Sequence, residues 1–128
     1  MKGSYLGPEF TQQEIESELL SVGAKFEVLS YDDLIDKTSE FLSHEKAIGW
    51  FQGRMEFGPR ALGARSILGD PRSEKMQKNL NLKVKYRESF RPFAPSILKE
   101  NLMDWFDLKS ESPYMLLVAD IKSEKKLK

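Results

Sequence analysis

No cysteine occurs among the 128 residues, which excludes disulfides, thiolate metal sites and a cysteine nucleophile, and fits a reducing cytosol. Histidine is nearly as scarce. His44 stands alone between Ser43 and Glu45, so a multi-histidine metal site is excluded and the residue reads as an ordinary surface side chain at a helix end. Net charge is missing as well: twenty basic residues cancel twenty acidic ones, and nothing global points to nucleic acid, a membrane or an acidic partner. Long apolar runs are absent. The opening "MKGSYLGPEFTQQE" is too polar for a signal-peptide core, and no stretch approaches the roughly 20 apolar residues of a membrane span. The expectation is a soluble, cytoplasmic protein. Its length fits one domain, and 40% apolar with 11% aromatic residues should suffice to bury a core.

What is present reads as alternating helices and strands. Thr11 and Glu14 have capping-box spacing, and Ile15, Leu19, Leu20 and Val22 form a helical stripe closed by Gly23, which predicts a helix over 11–22. "KFEVLSY" alternates like a short strand. Ser30 and Asp33 open a second helix carrying Leu34, Ile35, Thr38, Phe41 and Leu42, and "AIGWFQG" reads as a buried strand, so the order is β-α-β. Beyond Gly53, "EFGPRALGARS" is a loop leading into a strand at "SILGD". Asp70 and Pro71 suit the start of a helix from Arg72 to about Leu82, with Met76, Leu80 and Val84 inward. "FAPSIL" and "YMLLVADIK" read as strands, the latter buried, with "KENLMDWF" as helical turns between them. The chain then closes on a polar "SEKKLK".

Arginine is distributed unlike any other residue here. All six, Arg54, Arg60, Arg65, Arg72, Arg87 and Arg91, fall within one segment, whereas lysines run from Lys2 to Lys128. Between Arg54 and Arg91 ten basic residues face four acidic ones, so a basic segment is set in an acidic body. A guanidinium is the side chain suited to bidentate recognition of phosphate or carboxylate. Gly58, Pro59 and Gly63 around Arg60 would let the loop backbone approach an anion closely. In an extended segment Lys85, Arg87 and Arg91 would project to one side as a comb of cations. Two other readings stay open: surface ion pairs with Glu56, Asp70, Glu74 and Glu88, and a nucleic-acid module in which Trp50, Phe51, Phe57, Tyr86, Phe90 and Phe93 stack bases. Zero net charge makes the second the weaker.

No general acid, base or nucleophile stands out. Glu56 and Glu88 are placed to orient arginines, and Ser66 and Ser96 lack a histidine partner. Electrostatic positioning of phosphates requires neither.

Two blocks, "GRMEFGPRALGARSILGDPRS" and "NLKVKYRESFRPFAPSIL", resemble the C-terminal part of the O-carbamoyltransferase family, the nodulation-protein and antibiotic-tailoring carbamoyltransferases. The resemblance covers nearly the whole chain. It implies an α/β fold, a YrdC-like twisted mixed sheet with flanking helices, here incomplete: residues 1–128 as a single partial domain with 1–10 a leader and 122–128 a frayed tail. It further implies that carbamoyl phosphate and ATP are bound and converted to a carbamoyl-adenylate. A separate N-terminal, metal-dependent domain, or a partner chain, then passes the carbamoyl group to a hydroxyl acceptor.

Carried onto this sequence, the resemblance places the carbamoyl phosphate contacts on Arg60, Lys85 and Arg91. Arg87 completes a Lys-x-Arg pair, and Arg65, Ser66, Glu56 and Glu88 fall on the nucleotide side or behind it. Metal is expected in the N-terminal domain and not among these residues. The family's later motifs lie beyond "YMLLVADIK", so an inactive isolated chain with an open sheet edge there, able to pair into a homodimer, is expected. The alternative remains a double-stranded RNA binding module built on the basic segment 54–91.

Overall fold

In the computed structural model, which describes residues 3–127, the chain divides between Asp70 and Pro71 into two compact units. The first holds helices α1 (Gln12–Ser21) and α2 (Tyr31–Ser43) and strands β1 (Ile48–Phe51) and β2 (Arg65–Leu68). The predicted capping box forms: the Thr11 hydroxyl accepts from the Glu14 amide, and the Glu14 carboxylate accepts from the Thr11 amide at 2.7 Å. At the other end Gly23 takes a positive φ while its own amide and that of Ala24 reach back to Leu20 and Leu19, a Schellman closure. Helix α2 is capped by Ser30, and it closes in the same way on Glu45, a residue that adopts φ +58° without glycine's freedom. His44 sits at that helix end, exposed, as its context predicted.

β1 and β2 pair antiparallel, Ile48 opposite Leu68 and Phe51 opposite Arg65. β1 is half-buried in alternation, with Ile48 and Trp50 inward, because one face packs and the other meets solvent. The fold class is thus α/β, with helices beside a two-stranded antiparallel ladder. "KFEVLSY", predicted as a strand, joins no ladder: alternation alone cannot form one without a neighbour to accept its hydrogen bonds.

The second unit opens with turns at 71–75. Helix α3 (Met76–Asn79) therefore starts later than Pro71, and it widens into a π-turn over Leu80–Val84. Met76 and Leu80 are buried as predicted, while Val84 is exposed because the wider turn rotates it off the inner face. A 3₁₀ turn (Lys99–Asn101) leads into helix α4 (Leu102–Trp105), and a last 3₁₀ turn covers Ser123–Lys125.

The expected strands at "FAPSIL" and "YMLLVADIK" do not form. Ile121 makes a single bridge to Phe106, and Leu116 and Val118 are 78% and 99% exposed instead of buried. The expected sheet edge has no ladder there to belong to.

Among the described residues the buried apolar set is Ala64, Met76 and Leu80, and α1 and α2 bury none of theirs. The core expected from composition is accordingly small. No described helix is long and apolar enough to cross a membrane. Met1, Lys2 and Lys128, in the expected leader and tail, lie outside the described residues.

Candidate anion site

The first signature block folds around Glu56. Its carboxylate is buried, and Oε1 accepts from the backbone amides of Leu62 at 2.6 Å and Ala64 at 2.7 Å. Burial pushes this carboxyl up, but bonds from the amides of Leu62, Ala64, Glu56 itself and Arg65 outweigh it and hold the group below the usual glutamate range. The amides expected to cradle an anion are therefore occupied by the chain's own carboxylate.

Further bonds complete the clasp on this loop. Ser66 Oγ accepts from the Gly63 amide at 3.0 Å, Tyr5 donates to the Leu62 carbonyl at 2.6 Å, and Gln52 Nε2 donates to the Gly63 carbonyl at 3.1 Å. Gly58 at φ +143° and Gly63 at φ +108° supply conformations that other residues rarely adopt, so the chain can turn out and back. The N-terminal stretch runs alongside: Gly7 bonds with Met55, Met55 with Pro8, and Phe57 with Ser4 through the backbone. A Cβ on Gly7 would meet Met55 at 3.0 Å, so this close approach also depends on glycine.

Arg60 is what the clasp presents. It is exposed, and among the described residues its side chain forms no hydrogen bond or ion pair. Arg65 is the opposite case: Nη1 donates to the carbonyls of Gln52 and Ala64, Nη2 to those of Pro8 and Gly53, and the guanidinium lies 3.3 Å from the Phe51 ring centroid. Such a residue ties strand ends together. Arg54 similarly reaches the Gly7 carbonyl and Glu9.

The second block folds around Asn81, which is 0% exposed. Its Nδ2 donates to the carbonyls of Ser89 at 3.1 Å and Arg91 at 2.8 Å, and its Oδ1 accepts from Arg87 Nε at 2.7 Å. The Arg87 amide bonds to the Asn81 carbonyl, and Gln77 Nε2 adds a second donor to the Arg91 carbonyl at 3.2 Å. Arg87 also lies over Phe93, 5.0 Å from the ring centroid.

The expected comb of cations is not what this backbone makes. Lys85 is helical, Tyr86 is left-handed at φ +51°, and Ser89 and Phe90 form a turn, so 85–91 curls around Asn81. Lys85 is exposed at the end of the π-turn. Arg91 pairs with Glu88 at 3.2 Å in solvent, where an ion pair contributes little. The amide of Glu88 itself and then the Arg91 guanidinium hold the Glu88 carboxyl below its usual range.

The structure thus brings Lys85, Arg87, Glu88 and Arg91 into one curled segment of the second unit, and Glu56, Arg60, Arg65 and Ser66 into one clasped loop of the first. The organising residues the sequence reading missed are Asn81, Gln77, Tyr5 and Gln52. Their signal was faint: Gln77 and Asn81 sit at i, i+4 just before an arginine-proline stretch, with polar side chains where a helix was expected to be ordinary. No group of three or more potential metal ligands exists among the described residues.

Sequence comparison places this geometry among known chains. A family model described as carbamoyltransferase C-terminus matches residues 39–128. The chain is 57% identical over 129 residues to an uncharacterized protein of Synechocystis, covering 99% of this chain and 21% of that protein. It is 41% identical over 126 residues to nodulation protein NolNO of Sinorhizobium fredii, covering 95% and 18% respectively. With 3'-hydroxymethylcephem-O-carbamoyltransferase of Streptomyces clavuligerus it shares 41% identity over 86 residues, covering 67% and 16%. The chain spans about a fifth of the length of the curated relatives it matches.

Proposed function

The chain belongs to the carbamoyltransferase C-terminus family, and from that premise we propose that it is the part of a carbamoyltransferase that binds carbamoyl phosphate and ATP in the cytoplasm and forms a carbamoyl-adenylate. The observation carrying this reading is Arg60: a loop clasped on both sides holds out a guanidinium with no partner among the described residues. An exposed fork with its hydrogen-bonding groups unused, on a loop whose backbone is held, suits a dianionic phosphate better than a structural ion pair.

In this reading Arg60, Lys85 and Arg91 are the residues that serve as carbamoyl phosphate contacts, as the family resemblance assigns them. They neutralise charge as water splits carbamoyl phosphate into carbamate and inorganic phosphate, after which a carbamate oxygen bonds to the α-phosphorus of ATP and displaces pyrophosphate. Arg87 is the second member of the Lys-x-Arg pair. Glu56, Ser66, Arg65 and Glu88 act behind these groups by fixing loop and guanidinium positions. Transfer to a hydroxyl acceptor belongs to an N-terminal domain or partner chain, with its own metal.

Titration of the chain with carbamoyl phosphate, inorganic phosphate and a short RNA duplex tests the reading. Saturable binding of carbamoyl phosphate that falls about ten-fold or more in Arg60→Ala, a loss of about 1.4 kcal/mol or more, is expected. Salt-sensitive duplex binding with no response to either phosphate would overturn it in favour of a nucleic-acid module, whose exposed aromatics would be Phe57, Tyr86 and Phe90.

A further inference from the structure

Asn81 is the most buried polar residue described, and after buried Leu80 and Asn81 the chain turns outward: 82–86 are exposed and Arg87 is only half-buried. Burying an amide is costly unless its hydrogen bonds are made, and here three are made, all to one short stretch of chain. Two go to main-chain carbonyls and set the path of 89–91. The third is different. It comes from the Nε of a guanidinium, a group that could have been left in water.

That third bond fixes Arg87 in orientation. With Nε spent on Asn81 and the guanidinium over the Phe93 ring, the group is held in orientation while the residue stays half-exposed. Nη1 and Nη2 are the fork through which arginine grips a phosphate. The π-turn at Leu80–Val84 is what carries the Asn81 side chain to a place where it reaches both Arg87 and the carbonyls beyond it.

We propose that Asn81 is a positioning residue for anion recognition, acting through Arg87: it holds the guanidinium by Nε so that Nη1 and Nη2 are presented, already oriented, to a phosphate oxygen. This rests on the phosphate-binding reading above and deepens it. It assigns the dominant fork in the second unit to Arg87, where Arg91 is paired with Glu88 and Lys85 offers only a point charge. Gln77, which shares the Arg91 carbonyl but does not touch Arg87, shapes the loop without that role.

A double-mutant cycle with inorganic phosphate as the probe tests the claim. Asn81→Leu keeps roughly the volume but removes the acceptor for Arg87 Nε together with both donors. It is expected to weaken phosphate about ten-fold, and Arg87→Lys by a similar factor. The double variant should be no worse than Arg87→Lys alone, whereas Lys99→Ala, which breaks only a solvent pair with Glu111, should leave phosphate affinity within two-fold. Additive losses in the double variant mean that Asn81 only stabilises the fold, and they overturn the proposal while leaving the phosphate reading intact. No phosphate or carbamoyl phosphate binding by the unaltered chain overturns both.

Should Asn81→Leu not fold, ¹⁵N spectra of the unaltered chain decide. The Asn81 Nδ2 resonances should stay in place on phosphate addition while the Arg87 side-chain resonances shift. Release of the Asn81 signals, or a silent Arg87, refutes the claim.

Discussion

The two signature blocks solve the same structural problem with different chemistry. In the first unit a buried carboxylate, Glu56, gathers the amides of a glycine-rich loop and leaves Arg60 outside; in the second a buried amide, Asn81, gathers carbonyls and a guanidinium and leaves the Arg87 fork outside. The choice follows from what each loop exposes. Residues 62–65 offer N–H donors, so an acceptor-only group fits. The 87–91 turn offers two carbonyls and one donor, and an amide has both kinds of group. One clasp is charged and titrates, and the other is neutral and does not.

Removing the charged clasp should have the largest effect. Glu56→Ala leaves one buried and one part-buried amide without their partner and is expected to cost about 3 kcal/mol, at about 1.5 kcal/mol for each bond to a charged group. Urea unfolding of the first unit should show it, and so should faster hydrogen exchange at Leu62 and Ala64. If those amides stay protected, Glu56 does not organise the loop.

Next should come Arg65→Lys. An ammonium cannot serve four carbonyls and lie flat on Phe51 at once, so a loss of about 2 kcal/mol is expected, again confined to the first unit. An unchanged unfolding midpoint would mean that the strand ends are held by the ladder alone.

Acid should separate the two clasps directly. A carboxyl whose folded value is depressed contributes stability that is fully present above its unfolded value and is lost as pH falls through the folded one. Protection of the Leu62 and Ala64 amides should therefore decline below the ordinary glutamate range, by less than in Glu56→Ala because a protonated carboxyl still offers an acceptor. The Asn81 side-chain resonances should not move over the same range. Equal acid sensitivity of both blocks would erase the distinction.

The smallest effects belong to the solvent pairs. Lys99→Ala breaks a 2.6 Å contact with Glu111, and Lys37→Ala one of 2.8 Å with Glu27, yet all four groups are exposed and no measurable change in stability is expected. Anion affinity should likewise ignore Lys99, Lys109 and Lys122. A loss of phosphate binding in any of these variants would show that charge outside the two blocks matters.

Local signals in the chain were sufficient wherever a structure is closed by residues near in sequence. The capping box at Thr11 and Glu14, the Gly23 stop, the Ser30 cap and the inward Met76 and Leu80 each depend on partners within about four residues, and each formed. The confinement of arginine, and the two blocks that identify the family, were legible for the same reason. Strands were not. "KFEVLSY" and "YMLLVADIK" have the composition and the alternation, but a strand exists only when another brings donors and acceptors alongside, and sequence pattern carries no information about that neighbour. Tertiary structure alone decided which arginines are spent and which are offered. Arg65 and Arg60 stand five residues apart with identical chemistry, yet one meets four carbonyls and a ring while the other meets none, because a guanidinium's role is set by the acceptors that folding places within 3.5 Å.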